Sequence, residues 1–131
     1  MKILICGGRD YSNKEFLYLF LDDLIKSQYN NDSKNITLIH GAARGADNLA
    51  DEWAKERGIK SVAYPANWNL HGKKAGPIRN YEMLKTEKPD LIIAFPGGRG
   101  TEHMISLGLK YKVKVIDLNQ RNLNNDNLFT R

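Results

Sequence analysis

The sequence predicts an α/β fold: a three-layer domain built on a parallel, doubly wound sheet of about five strands. Three observations predict it. Apolar runs recur at residues 3–6, 36–39, 62–64, 91–95 and 113–118. The first, second and fourth are nearly continuous rather than alternating, the pattern of strands covered on both faces. Helical patterns fill the intervals, so the order is β-α-β-α-β-α-β-α-β, which a parallel sheet with covered faces accommodates.

The elements follow in order. After the first strand, residues 14–28 place Phe16, Leu17, Phe20, Leu21, Leu24 and Ile25 on one helical face. After the second, residues 46–57 do the same with Leu49, Ala50, Trp53 and Ala54, and Gly58 suits a C-terminal cap. The third strand leads into a loop over residues 66–75. A short helix follows over 77–86, with Pro77 in its first turn and Pro89 as the stop before the next strand. A last helix spans 101–111. The domain therefore covers residues 1–118. Residues 119–131, rich in Asn and polar side chains, read as a C-terminal tail with little to bury.

Composition narrows the function classes. The chain has 131 residues, enough for one domain with its own core. No apolar run approaches the ~20 residues of a membrane span, and the N-terminus lacks a signal-peptide pattern. A single cysteine forms no internal disulfide, so a reducing cytoplasm is the simplest compartment. The formal charge of +5 suits an anionic partner, either a phosphorylated small molecule or nucleic acid, and is equally an ordinary soluble surface.

Placement says more than the total. Nine of the eleven glycines lie where strands end or in loops feeding helices: Gly7, Gly8, Gly41, Gly45, Gly72, Gly76, Gly97, Gly98 and Gly100. In an open α/β sheet the carboxyl ends of the strands form the ligand crevice. Glycines there admit a ligand close to the backbone, and amides at helix starts bind phosphate. Four of the seven arginines occupy the same places: Arg9, Arg44, Arg79 and Arg99. Their fork of donors matches phosphate or carboxylate. Pro96 ends the fourth strand before Gly97, Gly98, Arg99 and Gly100. Thr101 is expected to cap the next helix and offer its hydroxyl to a phosphate. The loop is not a Walker P-loop, because no Lys follows the last glycine in the required place. The first loop, Gly7-Gly8-Arg9-Asp10, lacks the third glycine of a dinucleotide fingerprint. Its Asp10 accepts ribose hydroxyls or pairs with Arg9, and the sequence leaves both open.

Gly7-Gly8-Arg9-Asp10, the segment from His40 to Asp47, Pro65-Ala66-Asn67-Trp68, the segment from Gly72 to Asn80, and Phe95-Pro96-Gly97-Gly98-Arg99-Gly100-Thr101 appear in this order. Together they resemble the YspA-type, YpsA-related branch of the SLOG superfamily, from residue 3 to about 118. The resemblance implies a Rossmann-like fold that binds nucleotides or nucleotide-derived ligands, ADP-ribose-like molecules among them. It also implies a homodimer or larger. A more distant similarity leads to the cytokinin-activating phosphoribohydrolases. Their Arg-Lys-x-x-Met element looks like Arg79-Asn80-Tyr81-Glu82-Met83. Their catalytic Glu, three residues after the Thr, is replaced by Met104. Glu102 points about 160° round the helix from that place. Arg79, Glu102 and Asp47 are the catalytic candidates, and nothing in the sequence selects one.

The remaining candidates are weighed singly. Asp47 caps its helix or binds ribose. His40 faces the ligand or is a hydrogen-bonded structural residue. Trp68 stacks on a base or anchors its loop to the core. Lys73, just before Ala75-Gly76-Pro77, is a phosphate contact, and Asn80 lies beside Arg79. His71 and His103 have no partner at metal spacing and Cys6 reads as a strand residue, so neither metal nor cofactor is expected. Three functions follow in order of preference: binding of a nucleotide-like small molecule, N-glycosidic hydrolysis of a nucleoside monophosphate, and single-stranded DNA binding. The charge permits the third, but aromatics along an extended groove are scarce.

Overall fold

The computed structural model describes residues 1–28, 30 and 32–118, so the tail at 119–131 lies outside the described residues. Five strands, β1 (Lys2–Cys6), β2 (Thr37–His40), β3 (Lys60–Ala63), β4 (Leu91–Ala94) and β5 (Lys114–Asp117), form one parallel sheet in the order β3-β2-β1-β4-β5. The helices are α1 (Lys14–Gln28), α2 (Ala46–Glu56), α3 (Trp68–His71), α4 (Ala75–Glu87) and α5 (Arg99–Lys110). The fold is α/β and Rossmann-like, as the sequence predicts.

The period-two alternation of β1 explains the three layers. Ile3 and Ile5 join Leu38, Leu91, Ile93 and Phe95 on one face, where Leu17, Leu21 and Ile25 of α1 and Ala50, Trp53 and Ala54 of α2 cover them. Leu4 and Cys6 join Ile39, Ile92 and Ala94 on the other, under Met83 and Leu84 of α4 and Met104 of α5. Phe95 is fully buried and meets Phe16 and Phe20 edge-on at 6.3 and 6.0 Å. Burying a side chain of that size contributes ~1.5–3 kcal/mol. The Trp53 indole donates to Asp22 Oδ1 at 2.9 Å, and Arg57 grips the same carboxylate with two bonds of 2.8 and 2.9 Å. These contacts tie α2 to α1. Gly58 sits just past α2 at φ +68°, as a C-terminal cap requires.

The strand order reverses direction between β1 and β4. Their carboxyl ends therefore diverge into loops on opposite faces and leave a crevice between them, the ligand position of open α/β sheets. The stretch at 66–75 departs from the expected loop. Asn67 accepts from Leu70 N at 3.1 Å and starts α3, and a 3-10 turn over Gly72–Lys74 delivers the chain into α4 two residues early. A capping Asn and the absence of proline between 67 and 75 suffice for these short turns.

Candidate nucleotide-binding cleft

At the crevice the sheet presents a cleft of about 590 Å³. Gly7, Gly8 and Arg9 enter it from β1, Gly41 from β2, and Asp47 from α2. Trp68 comes from α3, Lys73 from the turn, Arg79 and Asn80 from α4, and Gly98, Gly100 and Thr101 from the start of α5. Asp10, Pro96 and Gly97 line an adjoining hollow shared with Gly8, Arg9 and Gly98. Arg44 lines another, shared with Arg9, Gly41, Trp68 and Arg79. Gly45 lines none of the three. At φ +79°, a Cβ there would collide with the Gly8 carbonyl, so this glycine lets the loops after β1 and β2 touch. Ala46 N donates to the same carbonyl at 3.1 Å.

Arg79 is held inside the protein before any ligand arrives. Its Nη1 donates to the carbonyl oxygens of Gly41 and, at 3.4 Å, Tyr64. Its Nε donates to Asn80 Oδ1 at 2.9 Å. A side chain at Gly41 would collide with the guanidinium, so glycine here serves the arginine rather than a ligand. Asn80 donates to Gly100 O at 3.2 Å and meets His103 Nδ1 at 3.1 Å, which fixes α4 against the first turn of α5. Burial presses the Arg79 pKa down, the Asp47 carboxylate holds it up, and Arg9 pushes it down again.

Asp47 does not cap α2. The cap position is Gly45, and Asp47 lies in the first turn at 6% exposure. Its Oδ2 accepts from Gly41 N at 3.1 Å and Ala43 N at 3.3 Å, while Oδ1 is buried without a partner. Burial pushes its pKa up against the pull of those two amides and Arg79. Among the described residues it is the one carboxylate lining the cleft. Glu102 is exposed and does not line the cleft.

Thr101 does not cap α5 either. Gly98 occupies that position, and Thr101 turns inward against Gly97. Met104 is fully buried among Leu4, Cys6, Ile39 and Met83. The place three residues after the threonine faces the core rather than the crevice. Asp10 pairs with Arg44 rather than Arg9, at 3.3 Å on the surface. His40 is structural: its Nδ1 accepts from Ala42 N and its Nε2 meets Asp51 Oδ1, both at 2.9 Å. Trp68 does not anchor its segment to the core. It is 47% exposed and carries the Arg9 guanidinium 5.0 Å from its ring centroid.

Arg99, one of the four arginines the sequence sets at the strand ends, lines the cleft, and so does His103, which the sequence does not place there. His103 is read only from its long-range contact with Asn80, a signal no local pattern carries. Cys6 forms part of the floor, its thiol pushed well up by burial and then by the charges of Asp47 and Asp117. Among the described residues no three His, Cys, Asp or Glu side chains gather as a metal site would need.

The family model for the YspA, cpYpsA-related SLOG family matches residues 1–71, over half of the chain. This protein belongs to that family. The Gene 61 protein of Mycobacterium phage D29 is 35% identical over 128 residues, covering 92% of this SLOG chain and 98% of the phage protein. Among solved structures, TM1055 superposes with a TM-score of 0.67 at 15% identity, over 87% of this chain and 71% of its own. The Moco carrier protein of Chlamydomonas reinhardtii gives 0.63 at 17% identity, over 98% of this chain and 82% of its own. Both share the Rossmann-like fold of this SLOG chain. No helix among the described residues is long and apolar enough to cross a membrane.

Proposed function

We propose that this SLOG protein binds a nucleotide or ADP-ribose-like phosphorylated small molecule in the cleft at the ends of β1 and β4. One observation carries the reading: Arg9, Lys73, Arg79 and Arg99 line the same cleft as the start of α5, where Gly98 and Gly100 have open space where a Cβ would stand. No internal packing explains those two glycines, in contrast to Gly41 and Gly45. Free approach to the amides at the head of a twelve-residue helix suits a phosphate, with the dipole and the cations acting together. Trp68 at the rim, half-exposed and backed by Arg9, offers a face for a base.

Hydrolysis of the glycosidic bond draws less support, because Glu102 lies outside the cleft and Met104 lies in the core. Single-stranded DNA draws less as well, because Trp68 is the one aromatic lining the cleft among the described residues. The Moco carrier protein, similar in fold alone, agrees with carriage of a small molecule. A thermal-shift panel of AMP, ADP-ribose, NAD, cyclic nucleotides and a short single-stranded oligonucleotide tests the reading. A ligand at ~100 times its Kd adds about 2.7 kcal/mol of stability. A shift with the oligonucleotide alone, or with nothing, rejects it.

A further inference from the structure

We propose that Asp47 is the specificity-determining residue of the cleft: its uncommitted Oδ1 accepts a hydrogen bond from a sugar hydroxyl, so the site takes sugar phosphates and turns away bare polyanions. The proposal rests on the reading of the cleft as a phosphate site and adds what the rest of the ligand must carry.

The two oxygens of Asp47 have different environments. Oδ2 is fixed by the amides of Gly41 and Ala43 at 3.1 and 3.3 Å, which lock the rotamer. Oδ1 is buried with no partner. A buried acceptor left unmade is costly, more so on a carboxylate, and native proteins rarely keep one without a purpose. The residue lines the cleft, so a ligand is the partner available to it. The cations define what kind of ligand. A phosphate satisfies Arg9, Lys73 and Arg79 but offers a carboxylate only repulsion. The ligand must therefore bring a donor as well as an anion.

Depth decides which donor. Trp68 stands at the rim, half-exposed, and suits the base. Asp47 sits at 6% exposure near the floor, anchored on the same Gly41 that holds Arg79. A nucleotide with its base on Trp68 and its phosphate toward Arg79 brings its sugar, not its base, to the buried carboxylate. The hydroxyl O–H then donates to Oδ1, a charge-assisted bond in a dry setting.

Asp47→Asn inverts the reading rather than deleting it. The amide oxygen takes over the two backbone N–H groups, and Nδ2 replaces Oδ1 as a donor where an acceptor stood. The experiment measures Kd by calorimetry for AMP, 2′,3′-dideoxy-AMP and pyrophosphate on the wild-type protein and on Asp47→Asn. The wild type is expected to bind AMP roughly 10- to 100-fold tighter than the dideoxy form. Asp47→Asn is expected to erase that ratio and to gain on pyrophosphate. Equal wild-type affinity for AMP and its dideoxy form overturns the proposal while leaving the phosphate site standing. So does a ratio unchanged in a folded Asp47→Asn protein. Should that variant fail to fold, the wild-type ligand pair decides alone. Failure of all three probes to bind the wild type rejects the phosphate site itself, and this proposal with it.

Discussion

Asp47 and Arg79 grip Gly41 from its two ends: the carboxylate accepts from its N–H and the guanidinium donates to its carbonyl. A carboxylate and a guanidinium from different helices are thus joined through one residue that lines the cleft. Both side chains are already fixed by protein partners, and preorganisation of that kind limits the ordering cost of binding.

Arg79→Ala is expected to abolish ligand-induced stabilisation. Loss of a charge-assisted bond to phosphate costs ~1.5–3 kcal/mol, roughly 10- to 100-fold in Kd. Because Arg79 also bonds Gly41 and Tyr64, the apo protein is expected to lose about 1 kcal/mol as well. Titration of AMP against the folded variant separates the two effects. Unchanged affinity would remove Arg79 from the site.

Gly98 and Gly97 are neighbours with opposite expectations. A Cβ at Gly98 meets nothing within 4 Å. Gly98→Val is expected to fold normally and to block binding. A Cβ at Gly97 would strike Thr101 Oγ1 and the Gly8 backbone. Gly97→Val is expected to destabilise by several kcal/mol, in the range of overpacking with backbone shifts. Urea midpoints for the pair, beside a binding assay on Gly98→Val, check both. Normal binding by Gly98→Val would leave that loop a plain turn.

How far this site was legible in the sequence follows from where each signal lives. The strands at 3–6 and 91–95 announce themselves as continuous apolar runs because both faces are covered, and they fix the crevice between β1 and β4. The glycine and arginine loops mark its rim for the same reason. The phase of α5 was not legible. The helix begins at Arg99, and Thr101, Met104 and Gly108 form its buried stripe. A start at 101 would make Thr101 a cap, as the sequence expects. Of the two roles the sequence leaves open for Asp47, capping fails because its partners are amides of the preceding loop, whose left-handed turn at Ala42, φ +59°, no local pattern reveals.

Acid sensitivity is expected to arise in part from Asp22. Its bonds from Arg57, joined by the Trp53 indole and opposed by partial burial, hold its pKa below the ordinary 3.8. A carboxylate depressed in the fold stabilises it above the unfolded value and loses that contribution as pH falls through the folded one. The loss therefore lies below pH 3.8. Asp22→Asn is expected to lower stability at pH 7 and to flatten the decline between pH 4 and about 2. Urea unfolding across that range reads it, and an unchanged acid limb would assign the acid sensitivity to other carboxylates such as Asp51.

The last prediction concerns chemistry. Free base is expected to be released slowly or not at all from nucleoside monophosphates. In the distantly similar hydrolases a carboxylate follows the threonine by three residues, and here Met104 fills that place with no exposure, wedged among Leu4, Ile39 and Met83. Restoring the glutamate is therefore expected to fail as an engineering step. Met104→Glu would bury a carboxyl group among apolar side chains. It would be protonated at neutral pH or would force the helix off the sheet, and either costs roughly 2–5 kcal/mol. Absence of a general acid–base group typically leaves the rate ~100- to 10,000-fold down. Chromatographic detection of adenine after long incubation with AMP measures the first expectation, and the urea midpoint of Met104→Glu measures the second. Brisk turnover by the wild type would shift attention to Asp47, the carboxylate that does line the cleft, and Asp47→Asn would then have to abolish it. A Met104→Glu variant that folds with wild-type stability and releases base would show that α5 can turn residue 104 toward the crevice after all.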